Sequence, residues 1–157
     1  MKKAKIKTPL GVAELAGDEN GLSYFRILDN TENYNDEIPS ELLPAANQIS
    51  EYFSGKRQKF DLKLNPQGTE FQKKVWTELQ NISFGSKISY LELSRKMGDE
   101  KAIRAVAAAN GKNPLWIIVP CHRVVGSDGS LTGYAGGLHR KKWLLDHENP
   151  PLQKSLF

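Results

Sequence analysis

The apolar pattern of this 157-residue chain changes period near residue 65, and no other feature limits the fold as much. Before that point, "AKIKTPLGVAELAGDENGLSYFRIL" has short, partly alternating apolar runs. The turn signals "TPLG" and "DENG" divide them, which predicts a small antiparallel meander. In "PSELLPAANQISEYFSG", Leu42, Leu43, Ala46, Ile49 and Phe53 recur at helical spacing, and Gly55 lies just past the end as a stop. "KFDLKLNPQG" predicts a last strand and a linker, placing a boundary between a scaffold domain, 1–66, and a second domain, 67–157.

Beyond the boundary the period becomes helical. Thr69 can cap "TEFQKKVWTELQNI", whose Phe71, Val75, Trp76 and Leu79 mark one face. "SYLELSRKMGDEKAIRAVAAANGKNP" predicts two short helices around a Gly-Asp turn, with Ser89 as first N-cap and Asn110-Gly111 at the second end. "WIIV" is short, apolar and β-branched, which predicts a buried strand that Pro120 must end. A glycine-rich loop then leads to a final helix with Trp143, Leu144 and His147 on its inner face, stopped by Asn149-Pro150. The fold class expected is α+β.

A charged fraction of 25% against 39% hydrophobic residues fits a globular domain and excludes disorder. No apolar stretch approaches the roughly 18 residues of a membrane span. The start "MKKAKIKTPLG" lacks the apolar core of a signal peptide, so the cytoplasm is expected. A single cysteine cannot form an internal disulfide. His122, His139 and His147 have no cysteine partners at ligand spacing, so neither metal nor cofactor is expected.

Charge is uneven. Residues 1–68 hold nine Lys/Arg against ten Asp/Glu, whereas 69–157 hold thirteen against eight. The basic second half is either a solvated face or the footprint of a polyanion such as nucleic acid. Two helices with a tight Gly turn in that half form a candidate helix-turn-helix, although many helical hairpins share the pattern. Its second helix, "KAIRAVAAAN", offers almost no long polar side chains for reading base edges. It is either an alanine-rich packing helix or one that lies shallowly on DNA with Arg104 projecting.

The lone cysteine sits in "WIIVPCHRVVG". An apolar-flanked cysteine is often inert core, but an adjacent histidine can raise the thiolate fraction, the nucleophilic form. In extended backbone Cys121 and His122 would point to opposite faces. They can meet only if the chain turns, or through a water, which favours a relayed proton transfer. A carboxylate beyond His122 would complete the relay, and spacing alone does not choose among the eighteen present.

At "PCHRV" the chain closely resembles the O6-alkylguanine-DNA alkyltransferases, also called methylated-DNA–protein-cysteine methyltransferases. The resemblance runs from "TPLG" through "FDLKL", "GTEFQKKVW", "FGSKISY", "AIRAVAAANGKNP", "IVPCHRVVG" and "GYAGGLHRKKWLLDHE", nearly the whole chain. It implies an N-terminal ribonuclease H-like α/β domain and a C-terminal, mostly helical domain with a winged helix-turn-helix that binds double-stranded DNA through the minor groove. It implies direct reversal of DNA damage, in which the alkyl group of O6-alkylguanine, and of O4-alkylthymine, passes irreversibly to Cys121. Each molecule then acts once, as a monomer.

By the same resemblance Cys121 is the acceptor thiol, His122 the relay base and Glu148 the carboxylate that polarises it. Tyr90 bonds guanine N3 and assists departure of the base, and Asn113 joins the DNA-reading helix to the active-site strand. Arg104 fills the gap left by an everted nucleotide, and Tyr134 walls the base pocket. Backbone of Cys121, Val124 and Ala135 bonds the guanine edge, while Ala105, Arg123 and Gly136 complete the DNA and substrate contacts. Two departures are visible. Some relatives hold zinc on N-terminal Cys and His residues, and residues 1–120 here contain neither type. Some relatives have serine at Ala135, where the implied contact is made by backbone. Rival readings are a cysteine hydrolase, a helix-turn-helix regulator without chemistry, and a non-reactive lesion-recognition protein.

Overall fold

The computed structural model describes residues 1–29 and 37–150, so the last seven residues of the expected 67–157 segment lie outside the described residues. Three strands, β1 (Lys2–Thr8), β2 (Gly11–Asp18) and β3 (Gly21–Ile27), form an antiparallel meander in that order. Its two turns are the ones expected. The Thr8 hydroxyl accepts from Leu10 N and donates to Gly11 O, and Asp18 Oδ1 accepts from Asn20 N at 2.8 Å. Gly21 has φ +129°, and a Cβ there would meet Lys63 O at 2.9 Å, so both the turn and its crossing chain require glycine.

Helix α1 (Leu43–Phe53) lays Ala45, Ala46, Ile49 and Tyr52 into the core. The expected strand in "KFDLKL" is not there. Only Leu64 pairs, through a single bridge to Leu22. The reason lies in Gln48 of α1, whose amide accepts from Asp61 N at 2.8 Å and donates to Asp61 O at 3.0 Å. That side chain takes the backbone groups a neighbouring strand would have used.

Helix α2 (Glu70–Leu79) begins with a reciprocal capping box between Thr69 and Gln72. It buries Val75, Trp76 and Leu79, but Phe71 stays exposed, because the first turn runs past the edge of the packed surface. Ser89 and Glu92 form a second capping box for helix α3 (Tyr90–Lys96). After Gly98, the Asp99 side chain accepts from Lys101 N at the start of the turn into helix α4 (Ile103–Gly111). Strands β4 (Ile88–Ser89) and β5 (Val124–Val125) form a two-stranded parallel ribbon beside α3. Trp76 Nε1 donates to Ala109 O at 2.8 Å and ties α2 to α4.

The "WIIV" segment corrects a second expectation. After one bridge between Leu115 and Phe25, the chain turns. Ile118 N bonds Trp116 O at 2.7 Å, and Val119 N bonds Leu115 O at 2.9 Å. Ile117 takes φ 72°, a conformation that costs a β-branched residue about 1–3 kcal/mol. These residues are buried apart from the half-buried Trp116, so their composition imitates a strand without a ladder.

Helix α5 (Leu138–Glu148) buries Leu144 as expected, whereas Trp143 and His147 are half-buried and stack on each other at 4.9 Å. The deepest positions also include Arg140, Lys141 and Glu148. The inner face of this helix is therefore largely polar, each head group holding protein partners. One core cluster runs continuously from the meander to α5, giving a mixed α+β fold. No helix among the described residues is long and apolar enough to cross a membrane.

Candidate active site

Cys121 opens a single 3-10 turn, Cys121–Arg123, immediately after Pro120. The chain does turn here, so the alternation of an extended segment does not apply to Cys121 and His122. The cysteine is 4% exposed. Burial pushes its thiol up to about 11, against a smaller downward pull from the Asn113 amide and the Lys141 charge. In the protein alone the sulfur therefore carries its proton at neutral pH, and adjacency to histidine does not ionise it.

His122 is fully buried, with Nε2 2.7 Å from Glu148 Oε2. Burial lowers its proton affinity and Glu148 opposes that, leaving the shift downward. A neutral ring that donates Nε2–H to the carboxylate leaves Nδ1 as an acceptor. Nδ1 has no hydrogen-bond partner in the protein.

Glu148 gathers the most donors. Oε2 accepts from His122, from Tyr52 Oη at 2.6 Å and from Arg123 Nη2 at 2.9 Å. Oε1 accepts from Arg123 Nε at 2.7 Å. Burial alone would raise its pKa, but His122 and Arg123 outweigh it and hold the group at about 2. The carboxylate is thus ionised throughout the physiological range.

Arg123, expected among the DNA contacts, is placed elsewhere. It is buried, its guanidinium fills with Glu148, and Nη1 donates to Ile82 O at 2.6 Å. Three of its five N–H groups are engaged in this way and the side chain is buried, so the guanidinium faces the carboxylate and not the surface, where a phosphate would lie. Asn113 lies at the corner after α4, where its amide nitrogen donates to Leu115 O and Val119 O and its oxygen accepts from Leu115 N. It fixes the turn that carries Cys121. Asn110, inside α4, reaches the Cys121 carbonyl at 3.4 Å.

In front of the thiol, α3, α4 and the Thr132–Ala135 loop border an open cleft of about 620 Å³. Tyr90, Arg104, Ala107, Gly133, Tyr134 and Ala135 line it; Cys121 itself does not. Cys121 lies close enough to both tyrosines that an ionised sulfur would disfavour ionising their phenols. Tyr90 donates to Thr132 O at 3.1 Å. Tyr134 Oη is buried without a protein partner, and its ring lies 5.7 Å from Trp116. A Cβ on Gly136 would meet the Tyr134 ring at 2.8 Å and Trp116 at 3.0 Å, so glycine is needed for this wall to close. Arg104, Ala105 and Ala135 are exposed, whereas Val124 is buried and its carbonyl already accepts from Lys141 Nζ at 2.6 Å.

The structure brings Cys121, His122, Glu148, Asn113 and Arg123 to one centre and sets Tyr90, Tyr134, Ala135 and Arg104 around the cavity beside it. The sequence reading missed three contributors, Tyr52, Asn110 and Lys141. Lys141 is fully buried, donates to Val124 O and Thr132 O, and is pushed down to about 8 by burial. Its signal was present, because Lys141, Leu144 and Glu148 share one helical face at i, i+3, i+7. Tyr52 had none, since 96 positions separate it from Glu148. Among the described residues no group of three or more His, Cys, Asp or Glu could hold a metal ion.

Residues 1–66 match the family described as 6-O-methylguanine DNA methyltransferase, ribonuclease-like domain, and residues 70–150 match its DNA binding domain. The methylated-DNA–protein-cysteine methyltransferase of Methanosarcina barkeri is 46% identical over 155 residues, covering 94% of this chain and 97% of that one. The Mycobacterium tuberculosis protein of the same name is 41% identical, covering 97% and 96%. A crystal structure of the M. tuberculosis O6-methylguanine methyltransferase superimposes with a TM-score of 0.84 at 40% identity, covering 98% and 96%. Another, of the M. tuberculosis OGT in complex with DNA, gives 0.85 at 42%, covering 93% and 91%. The chain therefore belongs to the 6-O-methylguanine DNA methyltransferase family.

Proposed function

We propose that this protein repairs DNA by direct damage reversal, moving the alkyl group of O6-alkylguanine, and of O4-alkylthymine, onto Cys121. The carrying observation is the buried Glu148–His122 pair, whose free Nδ1 belongs to the residue next to the buried Cys121, beside a cavity lined by two tyrosines. A cavity of about 620 Å³ is within the usual range for small-molecule sites.

The chemistry follows from the proton inventory. His122 Nδ1 has a free lone pair and takes the Cys121 proton, through a bridging water. The resulting imidazolium is stabilised by the ionised Glu148 at 2.7 Å. The sulfur lone pair forms an S–C bond in line with the breaking C–O bond. The departing guanine gains its proton at N3 from the Tyr90 hydroxyl and leaves neutral, and the proton held by the His122 imidazolium returns to Tyr90 through water, so the transfer is proton-neutral overall. A thioether offers no carbonyl for water to attack, so the thiol is not regenerated and each molecule turns over once.

Because burial keeps the thiol protonated, its proton passes to His122 only as the sulfur attacks the bound alkyl carbon. Tyr134, held against Trp116, supplies a flat wall for the base. Arg104, exposed at the mouth, replaces the stacking lost when the nucleotide swings out, a cost of a few kcal/mol. The small side chains around it on α4 suit close approach to a minor groove, and the basic second half suits phosphates. In this reading residues 1–66 form the scaffold and 67–157 carry DNA binding and chemistry, as a monomer. A thiol that must stay reduced suits the cytoplasm.

The test is intact-protein mass after incubation with a duplex containing O6-methylguanine. One methyl increment per chain, located on Cys121 and absent in Cys121→Ser, is expected. Recovered thiol with continued turnover, or a methyl on another residue, overturns the proposal.

A further inference from the structure

Tyr52 ends the buried face of α1, in the segment before residue 66, and none of it is exposed. Its hydroxyl donates to Glu148 Oε2 at 2.6 Å. Its carbonyl, which can only accept, takes Nε2–H of His147 at 2.8 Å. One residue thus holds two consecutive residues at the end of α5. The ring is wedged among Phe53, Phe60, Phe84 and His147, with centroids 5.1–6.2 Å away, so the hydroxyl has one place to point.

Packing does not explain that hydroxyl. A phenylalanine would fill the same space among the same rings without the cost of burying a polar group. The hydroxyl is accounted for by its acceptor, the carboxylate that polarises His122. Burial and the Glu148 charge push the Tyr52 phenol far up, so it remains a donor at every working pH.

We propose that Tyr52 is a positioning residue of the relay: its hydroxyl aims the Glu148 carboxylate at His122 and shares its charge, so the segment before residue 66 completes the active site. This rests on the alkyl-transfer reading above. Oε2 carries three donors, from Tyr52, His122 and Arg123. Removing the Tyr52 donor concentrates negative charge on the bond to His122 and favours the imidazolium. A larger share of His122 then starts protonated and cannot accept the Cys121 proton, so the acid limb of the rate profile moves to higher pH.

The other charged groups facing this pair are Arg123 on the 3-10 turn and Lys141 on α5, which both disfavour the imidazolium. Cys121 and Tyr134 complete the titratable surroundings. All of them are present with and without the Tyr52 hydroxyl, so none produces the difference.

The experiment compares full-length wild type, Tyr52→Phe and the packing control Phe53→Leu. Transfer from an O6-methylguanine duplex and from free O6-benzylguanine is followed by quenched mass spectrometry from the acid limit of the folded protein to pH 9. The His122 ring is titrated in parallel by NMR. For Tyr52→Phe we expect the acid limb and the His122 titration to rise by about half to one pH unit. On the acid limb itself, below both titrations, transfer should slow roughly three- to tenfold, equally on both substrates. Phe53→Leu should lower Tm and leave the limb in place. Superimposable profiles for wild type and Tyr52→Phe, or an equal displacement in Phe53→Leu, overturn the proposal. If wild type accepts no alkyl group at all, the functional reading fails, and the NMR titration still decides the role of Tyr52.

Discussion

Behind Cys121, four donor contacts converge on the two oxygens of Glu148, and every group in the cluster is buried. In front of it, a cavity is walled by tyrosines and alanines, with Arg104 exposed at its mouth. The rear is charged, crowded and closed, whereas the front is mostly apolar and open. The contrast shows a division of labour. The protein itself assembles the Glu148 cluster at folding, when the desolvation of Glu148 and Arg123 is offset by their mutual bonds. The front is left open, and in the proposed function the substrate fills it.

That contrast can be broken by mutations on either side, and the largest effect belongs to the rear. Glu148→Ala strands the Arg123 guanidinium without its carboxylate in a buried site. Urea denaturation should show a loss of about 3–5 kcal/mol, together with loss of transfer to Cys121. A stable Glu148→Ala protein would mean the rear cluster is not the closed unit described here.

Acid tests the same cluster without a mutation. Glu148 is held at about 2 against an ordinary 4.5, so in that interval the unfolded chain binds the proton and the folded chain does not. Its stabilising contribution is complete above pH 4.5 and is lost as pH falls through 2. The gap corresponds to up to about 3 kcal/mol. Urea midpoints at pH 7, 4, 3 and 2 should fall steeply across the last two. A flat profile below pH 4 would remove Glu148 from the stability of the fold.

The smallest stability effect is expected at the front. Arg104 is exposed and makes no hydrogen bond or ion pair among those of the rear cluster. Arg104→Ala should change stability by less than about 0.5 kcal/mol. It should weaken transfer from duplex DNA while better retaining reaction with free O6-benzylguanine. Equal losses on the two substrates would show that Arg104 serves the chemistry and not the everted base.

Local rules were legible wherever the physics was local. Thr69 and Ser89 predicted two helix starts, because an N-cap is written within the first turn it caps. The meander turns and the Gly98-Asp99 corner were equally readable. "WIIV" was not, because burial on every side gives the same composition to a strand and to a turn braced by Asn113. "KFDLKL" failed for a related reason, since Gln48, thirteen positions away from Asp61, competes for its backbone.

The site divides in the same way. Adjacency made Cys121 and His122 a candidate pair from the sequence alone, and resemblance to a family supplied Glu148. What the chain by itself determined was the set of reactive groups, the caps and the basic second half, all properties of neighbouring residues. Only the tertiary structure decided that the thiol is buried and protonated, that Arg123 faces inward, and that Tyr52 reaches Glu148 from 96 positions away. Those outcomes depend on which groups lose water together, and desolvation is a property of the packed molecule.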